Sequence, residues 1–185
     1  DSIIYYKSDQ SRMADSWCGV KSDVCKELDQ LGVVASEKYL DGMGVQYESE
    51  VIYHNMIEEL KEKQVIFTSI EDGLKNYPDL SMKYFSKIIS SRDNKFAALN
   101  SSVFSGGSFI YIPPHTKLDR PLQSYFRIHS QNMGQFERTL IIVDEDSELH
   151  YIEGCTAPTY STESLHAAVV EIYVGRGSKC RYTTI

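Results

Sequence analysis

The chain has 185 residues, of which 42% are hydrophobic, 24% charged and 11% aromatic, and it carries a formal net charge of −7. This is a globular composition, and a chain of this length buries about two-thirds of its unfolded surface without help from disulfides. The acidic balance and the lack of a basic run argue against nucleic acid as a main partner, because neutralising phosphates needs clustered Lys and Arg. No apolar stretch approaches the roughly 18 residues of a membrane span. The opening "DSIIYYKSDQSRMADSW" has no charged region leading into an apolar one, so it does not read as a secretory signal. Cys18, Cys25, Cys155 and Cys180 are spaced too irregularly for a disulfide framework, which points to free thiols in a reducing compartment.

Residues 1–100 read as a mainly helical domain. "SDVCKELDQLG" offers Ser22 as a cap, Val24, Leu28 and Leu31 on one face, and Gly32 as a stop. "SEVIYHNMIEELKEKQ" places Ile52, Met56 and Leu60 at i, i+4 and i+8, with Tyr53 and Ile57 beside them, and so reads as a helix. "VIFTSI" (65–70) is a short β-branched and aromatic run, expected as a strand. Ser69 then opens "SIEDGLKNYP" with Asp72 at the capping-box position. Pro78 ends that helix and opens the next, "PDLSMKYFSKII".

From about residue 103 the helical period gives way to short runs of Ile, Val, Tyr, Phe and Thr, broken by "SGG", "PPHT", "DEDS" and "GRGS". "FIYIPPHTKL" from 109, "LIIVDEDSEL" from 140 and "EIYVGRGSKC" from 171 align with starts 31 residues apart. Each copy runs strand, turn, charged residue (Lys117, Glu148, Lys179), apolar residue (Leu118, Leu149, Cys180), and then a second strand. The second strands fall out of strict register because "DRPLQS" is inserted in the first copy. A period of this size signals stacked units, and strand–turn–strand units with long connections suit a β-solenoid better than a hairpin sandwich. The run "RYTTI" ends the sequence inside an apparent strand, as expected of part of a longer protein with an open sheet edge.

Within "HYIEGCTAP" (150–158), Cys155 has two readings, a small packing residue at a bend or a thiol held out for chemistry. Gly154 and Pro158 mark a turn, where side chains point outward more often than inward. Glu153 and Thr156 are polar neighbours, and His150 or His166 could serve as base or positive partner to a thiolate. His150, Cys155 and His166 could also form a mixed nitrogen and sulfur metal site, although the spacing does not impose that geometry. Cys18 and Cys25, seven apart, are too widely spaced for a zinc pair. Cys180 aligns with Leu118 and Leu149 and is expected in the core. Arg127 alternates onto one face with Tyr125 and His129, while Phe126 and Ile128 share the other. That face is either solvated or, if it lines a solenoid, a polar spot in the bore. "DEDSE" (144–148) reads as a solvated turn rather than a calcium or acid–base site, and "SGGS" as a turn rather than a phosphate loop.

Three strings carry a family resemblance: "AALNSSVFSGGSFIYIP", "QSYFRIHSQNMGQFERTLIIVDE", and "YIEGCTAP" followed by "LHAAVVEI". They resemble the SufB scaffold family of the SUF iron–sulfur cluster assembly system. The likeness runs nearly without gaps from Asn94 to Ile185 and is traceable over "YESEVIYHNMIEELKEKQVIFTSIEDGLKNYP". The sister family, SufD, matches these strings less well. The resemblance implies an α+β chain forming the N-terminal portion of such a scaffold. Residues 1–100 would be a helical domain, and 101–185 the first turns of a right-handed parallel β-helix, cut before its C-terminal end. It implies partners: the SufC ATPase, SufD, a cysteine desulfurase with its sulfur carrier, and apo-protein cluster acceptors, with no nucleic acid and no membrane. It implies a non-enzymatic subunit carrying a transient iron–sulfur cluster in the full complex, with reduced flavin associated with that complex and none expected on this chain alone. The compartment would be the cytoplasm, or an organelle stroma or matrix. The cysteine of the family's "EGC" matches Cys155 and implies a sulfur acceptor that takes up a persulfide. Arg127 matches an arginine proposed along the sulfur route, and His129 stands where the family has asparagine. Two other readings remain, a SufD-like partner with inert thiols and a β-helix enzyme acting on acidic polysaccharide.

Overall fold

A computed structural model of the chain describes residues 13–157 and 165–185. Pro158, part of the turn expected after Cys155, lies outside the described residues. Helices α1 (Ser22–Gln30) and α2 (Val33–Ser36) lead into strands β1 (Gly42–Tyr47) and β2 (Glu50–Met56), then α3 (Glu58–Glu62), β3 (Ile66–Ser69), α4 (Ile70–Asn76), α5 (Pro78–Tyr84) and α6 (Lys95–Val103). Strands follow: β4 (Ser108–Ile112), β5 (Leu122–Arg127), β6 (Gly134–Gln135), β7 (Arg138–Val143), β8 (Glu148–Thr156), β9 (Leu165–His166), β10 (Val169–Val174) and β11 (Lys179–Thr184). They form a five-stranded sheet ordered β11-β8-β5-β1-β2, a four-stranded sheet ordered β10-β7-β4-β3, and the pair β6-β9. Neighbours are parallel except at β1–β2 and β3–β4. The fold is therefore α+β with parallel and mixed sheets.

The strand register follows the sequence repeat. Phe109 lies opposite Leu140, and Leu140 opposite Glu171. Lys117 bridges to Glu148, which pairs with Lys179. Between β5 and β8 the offset is 29 residues, Leu122 opposite Tyr151, because the first copy holds two extra residues between its strands. Cys180 sits opposite Leu149 and packs against the same apolar cluster as Leu118, as the repeat requires.

Both large sheets are covered on both faces. Between them lie Ile110, Ile112, Ile141 and Val143 from one side and Leu122, Leu149 and Tyr151 from the other. Helix α1 lays Val24 and Leu28 over Val45, Tyr47, Ile52, Tyr53 and Tyr125 on the outer face of the five-stranded sheet. Ile70, Leu74, Leu80 and Tyr84 cover Phe109, Leu140 and Ile142 on the outer face of the other. Strands buried on two faces lose the apolar–polar alternation, which accounts for the unbroken run "TLIIV".

Several local expectations hold. Gly32 (φ 77°) stands in the left-handed region one residue beyond the α1 C-cap, Leu31, and stops that helix. The Ser69 hydroxyl accepts from Asp72 N–H at 3.1 Å at the start of α4, and Pro78 occupies the first turn of α5. The helix expected over "SEVIYHNMIEELKEKQ" is corrected. Its first part is β2, antiparallel to β1, and the helix is limited to Glu58–Glu62. Ile52 and Tyr53 are both buried in the cluster under α1, while Met56 faces the inter-sheet core, so a strand apolar on both faces imitated the i, i+4 spacing of a helix. Helix α5 also stops earlier than expected, at Tyr84, because Glu171 accepts from the backbone N–H groups of Ser86, Ile88 and Ile89 and draws that segment out of helical pairing. No helix among the described residues is long and apolar enough to cross a membrane.

Candidate functional site

Alternation along β8 turns Leu149, Tyr151, Glu153 and Cys155 toward the space between the sheets, and His150, Ile152, Gly154 and Thr156 away from it. Cys155 lies opposite Phe126 of β5 and Glu153 opposite Ser124. Gly154 is set by packing on the outer face, where a Cβ would approach the Tyr125 ring to 3.0 Å. Cys155 is half-buried, and its N–H donates to Ile185 O at 3.2 Å.

The short pair β6–β9 brings in the other members. Gln135 lies opposite His166, again 31 residues apart. His166 Nδ1 is 3.5 Å from Cys155 Sγ, and His166 Nε2 is 2.5 Å from Glu137 Oε1. Gln135 Oε1 lies 3.9 Å from the same sulfur, while its Nε2 donates to Glu48 O at 2.9 Å. Asn100 of α6 donates from Nδ2 to Glu137 O and to Ala167 O, both at 2.9 Å, and so ties together the two backbone segments that carry Glu137 and His166.

The electrostatics follow from burial. Glu137 is 1% exposed, and its side-chain Oε2 has no hydrogen-bond partner among the described residues. The His166 side chain is 32% exposed. Burial alone would lower the His166 pKa, but hydrogen bonds to Cys155 and Glu137, with the charge of Glu137, outweigh it and raise the pKa to about 10. Burial and the Glu137 charge together push the Glu153 carboxyl up to about 7, and its Oε2 is likewise unpartnered. The site is thus a thiol, an imidazole and a buried carboxylate in line, with a second carboxyl group nearby. Among the described residues no three His, Cys, Asp or Glu side chains converge to hold a metal ion.

The other sequence candidates lie elsewhere. Arg127 is on the face of β5 opposite to the one that meets Cys155. It donates to Glu27 of α1 from Nε at 2.9 Å and Nη2 at 2.7 Å, and to Thr156 Oγ1 from Nη1 at 3.1 Å. His129 Nδ1 is 3.1 Å from Glu27 Oε2. Burial would raise the Glu27 pKa, but the hydrogen bonds from Arg127, Tyr47 and His129 hold it below the usual value. The face that carries Arg127 is therefore covered by α1 and does not line the inter-sheet space. His150 faces outward, 3.1 Å from Thr183 Oγ1, and burial with the nearby Arg181 charge lowers its pKa. Of the residues named from the sequence, the structure gathers Cys155, Glu153 and His166. It adds Gln135, Glu137 and Asn100, of which the 31-residue period projected from His166 points to Gln135.

A cavity of about 750 Å³ lies between β2, β3 and α4 and is lined by His54, Phe67, Tyr77 and Tyr111. Its lysine, Lys61, makes an exposed pair with Glu58 at 2.6 Å.

Fold and site together define an α+β protein of stacked parallel strands with a cysteine–histidine–carboxylate line between its sheets. Residues 45–124 match the family model described as the SufBD protein N-terminal region, and residues 126–185 match the SufBD core domain of SUF-system iron–sulfur cluster assembly. Over its whole length the chain is 54% identical to the iron–sulfur cluster assembly protein SufB of Bacillus subtilis and 55% identical to a SufBD family iron–sulfur cluster assembly protein of Staphylococcus aureus strain MRSA252. It spans 40% of the length of each of these relatives. The chain belongs to the SufBD family.

Proposed function

We propose that this chain is part of an iron–sulfur cluster assembly scaffold, a non-enzymatic subunit in which Cys155 accepts sulfur as a persulfide. The observation that carries this reading is the His166 imidazole against Cys155 Sγ at 3.5 Å, which places a counter-charge beside a sulfur anion. In the transfer, the Cys155 sulfur attacks the terminal sulfur of a donor persulfide. The donor S–S bond breaks, the donor leaves as a thiolate, and the proton lost by Cys155 passes to it by way of His166. No net oxidation occurs.

Family membership supports the remaining parts of this reading. The stacked repeats are the first turns of a right-handed parallel β-helix, with residues 1–100 as the N-terminal domain. The partners are the SufC ATPase, SufD, a cysteine desulfurase with its sulfur carrier, and the apo-proteins that receive the cluster, in the cytoplasm or an organelle stroma or matrix. Reduced flavin belongs to the assembled complex. The family's sulfur route would place Arg127 and His129 on it; here both pair with Glu27 on the face of β5 away from Cys155.

The test is cluster assembly on the full chain in complex with its ATPase and sister subunit, followed by the visible absorption of iron–sulfur charge transfer. Cys155→Ser is expected to abolish the signal and Cys180→Ser to retain it. Assembly by Cys155→Ser at the wild-type rate would overturn the reading.

A further inference from the structure

A buried carboxylate oxygen 2.5 Å from a ring nitrogen requires a proton between them, because two acceptors cannot share a hydrogen bond. Glu137 thereby decides which His166 nitrogen faces Cys155 as the free one. The geometry points to Glu137 as a positioning residue for the Cys155 thiol: its carboxylate fixes the proton on His166 Nε2 and leaves Nδ1 as the ring atom that exchanges a proton with Cys155 Sγ. This proposal rests on the sulfur-acceptor reading for its purpose, although its geometry stands without it.

The proton count closes within the site. Before exchange, Glu137 carries the charge, the ring is neutral and the sulfur is protonated. After exchange, the proton sits on Nδ1, and an imidazolium lies between the Glu137 carboxylate and the sulfur anion, with the same total charge. Glu137 is suited to this role because it is 1% exposed and its charge is poorly solvated. A positive ring is then its natural compensation. Asn100 holds the geometry by clamping Glu137 O and Ala167 O at 2.9 Å each. The raised pKa of His166 agrees with a ring that holds its second proton. Two other titratable groups face the line, Glu153 from β8 and Tyr182 from β11, which are coupled to one another.

The experiment measures the rate of Cys155 alkylation by iodoacetamide against pH on the full chain, read by peptide mass mapping. Glu137→Gln removes the charge and lets an amide N–H₂ turn toward Nε2, which stabilises the wrong tautomer. The alkylation rate at neutral pH is expected to fall by about tenfold or more, the size of a one-unit change in proton affinity. Glu137→Asp should recover part of the rate. His166→Gln should match the loss, with no further loss when Glu137→Gln is added. A Glu153→Gln background removes the titration of the second carboxyl and should leave the Glu137 effect in place. If Glu137→Gln fails to fold, Glu137→Asp carries the test: a rate between those of wild type and His166→Gln is expected, and a profile that superimposes on wild type overturns the proposal. A Glu137→Gln profile that superimposes on wild type, or an undiminished Glu137 effect without His166, would overturn the proposal. Sulfur uptake measured in parallel separates the two claims. The expected alkylation profile without sulfur on Cys155 refutes the acceptor reading, and sulfur on Cys155 with an unshifted profile refutes the role of Glu137.

Discussion

Glu137 and Arg138 are neighbours in sequence, yet they point to opposite faces of the chain and end in two very different buried charge clusters. Arg138 donates to Ile89 O at 2.7 Å and Ser101 Oγ at 2.9 Å, and lies 3.4 Å from Glu171. Its guanidinium stacks on the Phe85 ring at 5.0 Å. Glu171 in turn accepts three backbone N–H groups from residues 86–89. Glu137 has His166 as its ion-pair partner and an orphaned second oxygen, and that histidine is shared with a thiol. The lesson is that burial of charge alone does not mark a site. Each cluster leaves one buried atom without a partner among the described residues, Arg138 Nε and Glu137 Oε2; the cluster sealed from solvent holds the fold, whereas the one that ends in a thiol at a partly open rim is free to do chemistry.

The largest effect that would break this contrast is Glu171→Ala. It strands Arg138, 1% exposed, without its carboxylate and should cost about 3–5 kcal/mol in denaturant unfolding. A loss below about 1 kcal/mol would mean that the Arg138 cluster is not structural. Next comes Gly107→Ala. Gly107 has φ +112°, and a Cβ there would lie 2.2 Å from Arg138 O. The strain and clash should cost about 1–3 kcal/mol or more by the same measurement. Glu137→Gln should destabilise the chain less than Glu171→Ala while changing thiol reactivity far more, which is the contrast in its sharpest form.

A smaller, pH-dependent effect follows from His166. Its folded pKa, about 10, lies above its ordinary value of 6.5, so the folded state binds the extra proton more tightly. The stabilisation is complete below pH 6.5 and is lost as pH rises toward 10. Thermal unfolding midpoints of wild type should therefore approach those of His166→Gln across that window. The smallest effect is Glu148→Gln. Its exposed pairs with Lys117 at 2.9 Å and Lys179 at 3.4 Å should leave the unfolding midpoint unchanged.

The repeat was the most legible feature of the sequence. The alignment of residues 109, 140 and 171 is the register of β4, β7 and β10, because stacked strands repeat at a fixed chain length. Some caps were legible for local reasons, as Ser69 and Pro78 show, whereas Ser22, expected as a cap, is the first residue of α1, whose N-cap is Lys21. The β1–β2 hairpin was hidden because burial on two faces erases alternation. Cys155 and His166 could be named from the sequence, but their approach could not, since it depends on the pairing of the two-residue strands β6 and β9. Glu137 was invisible because nothing local separates it from Arg138, its structural neighbour. The face shared by Arg127, Tyr125 and His129 was legible, but its cover was not, because Glu27, 100 residues away, folds over it on α1.

The most direct measurement is anaerobic peptide mapping of the full chain after incubation with a persulfide-charged sulfur donor, wild type beside Cys155→Ser. A mass gain of one sulfur atom confined to the Cys155 peptide, and absent from the variant, is the result expected. Sulfur spread equally over Cys18, Cys25, Cys155 and Cys180, or retained in the variant, would contradict a dedicated acceptor at Cys155.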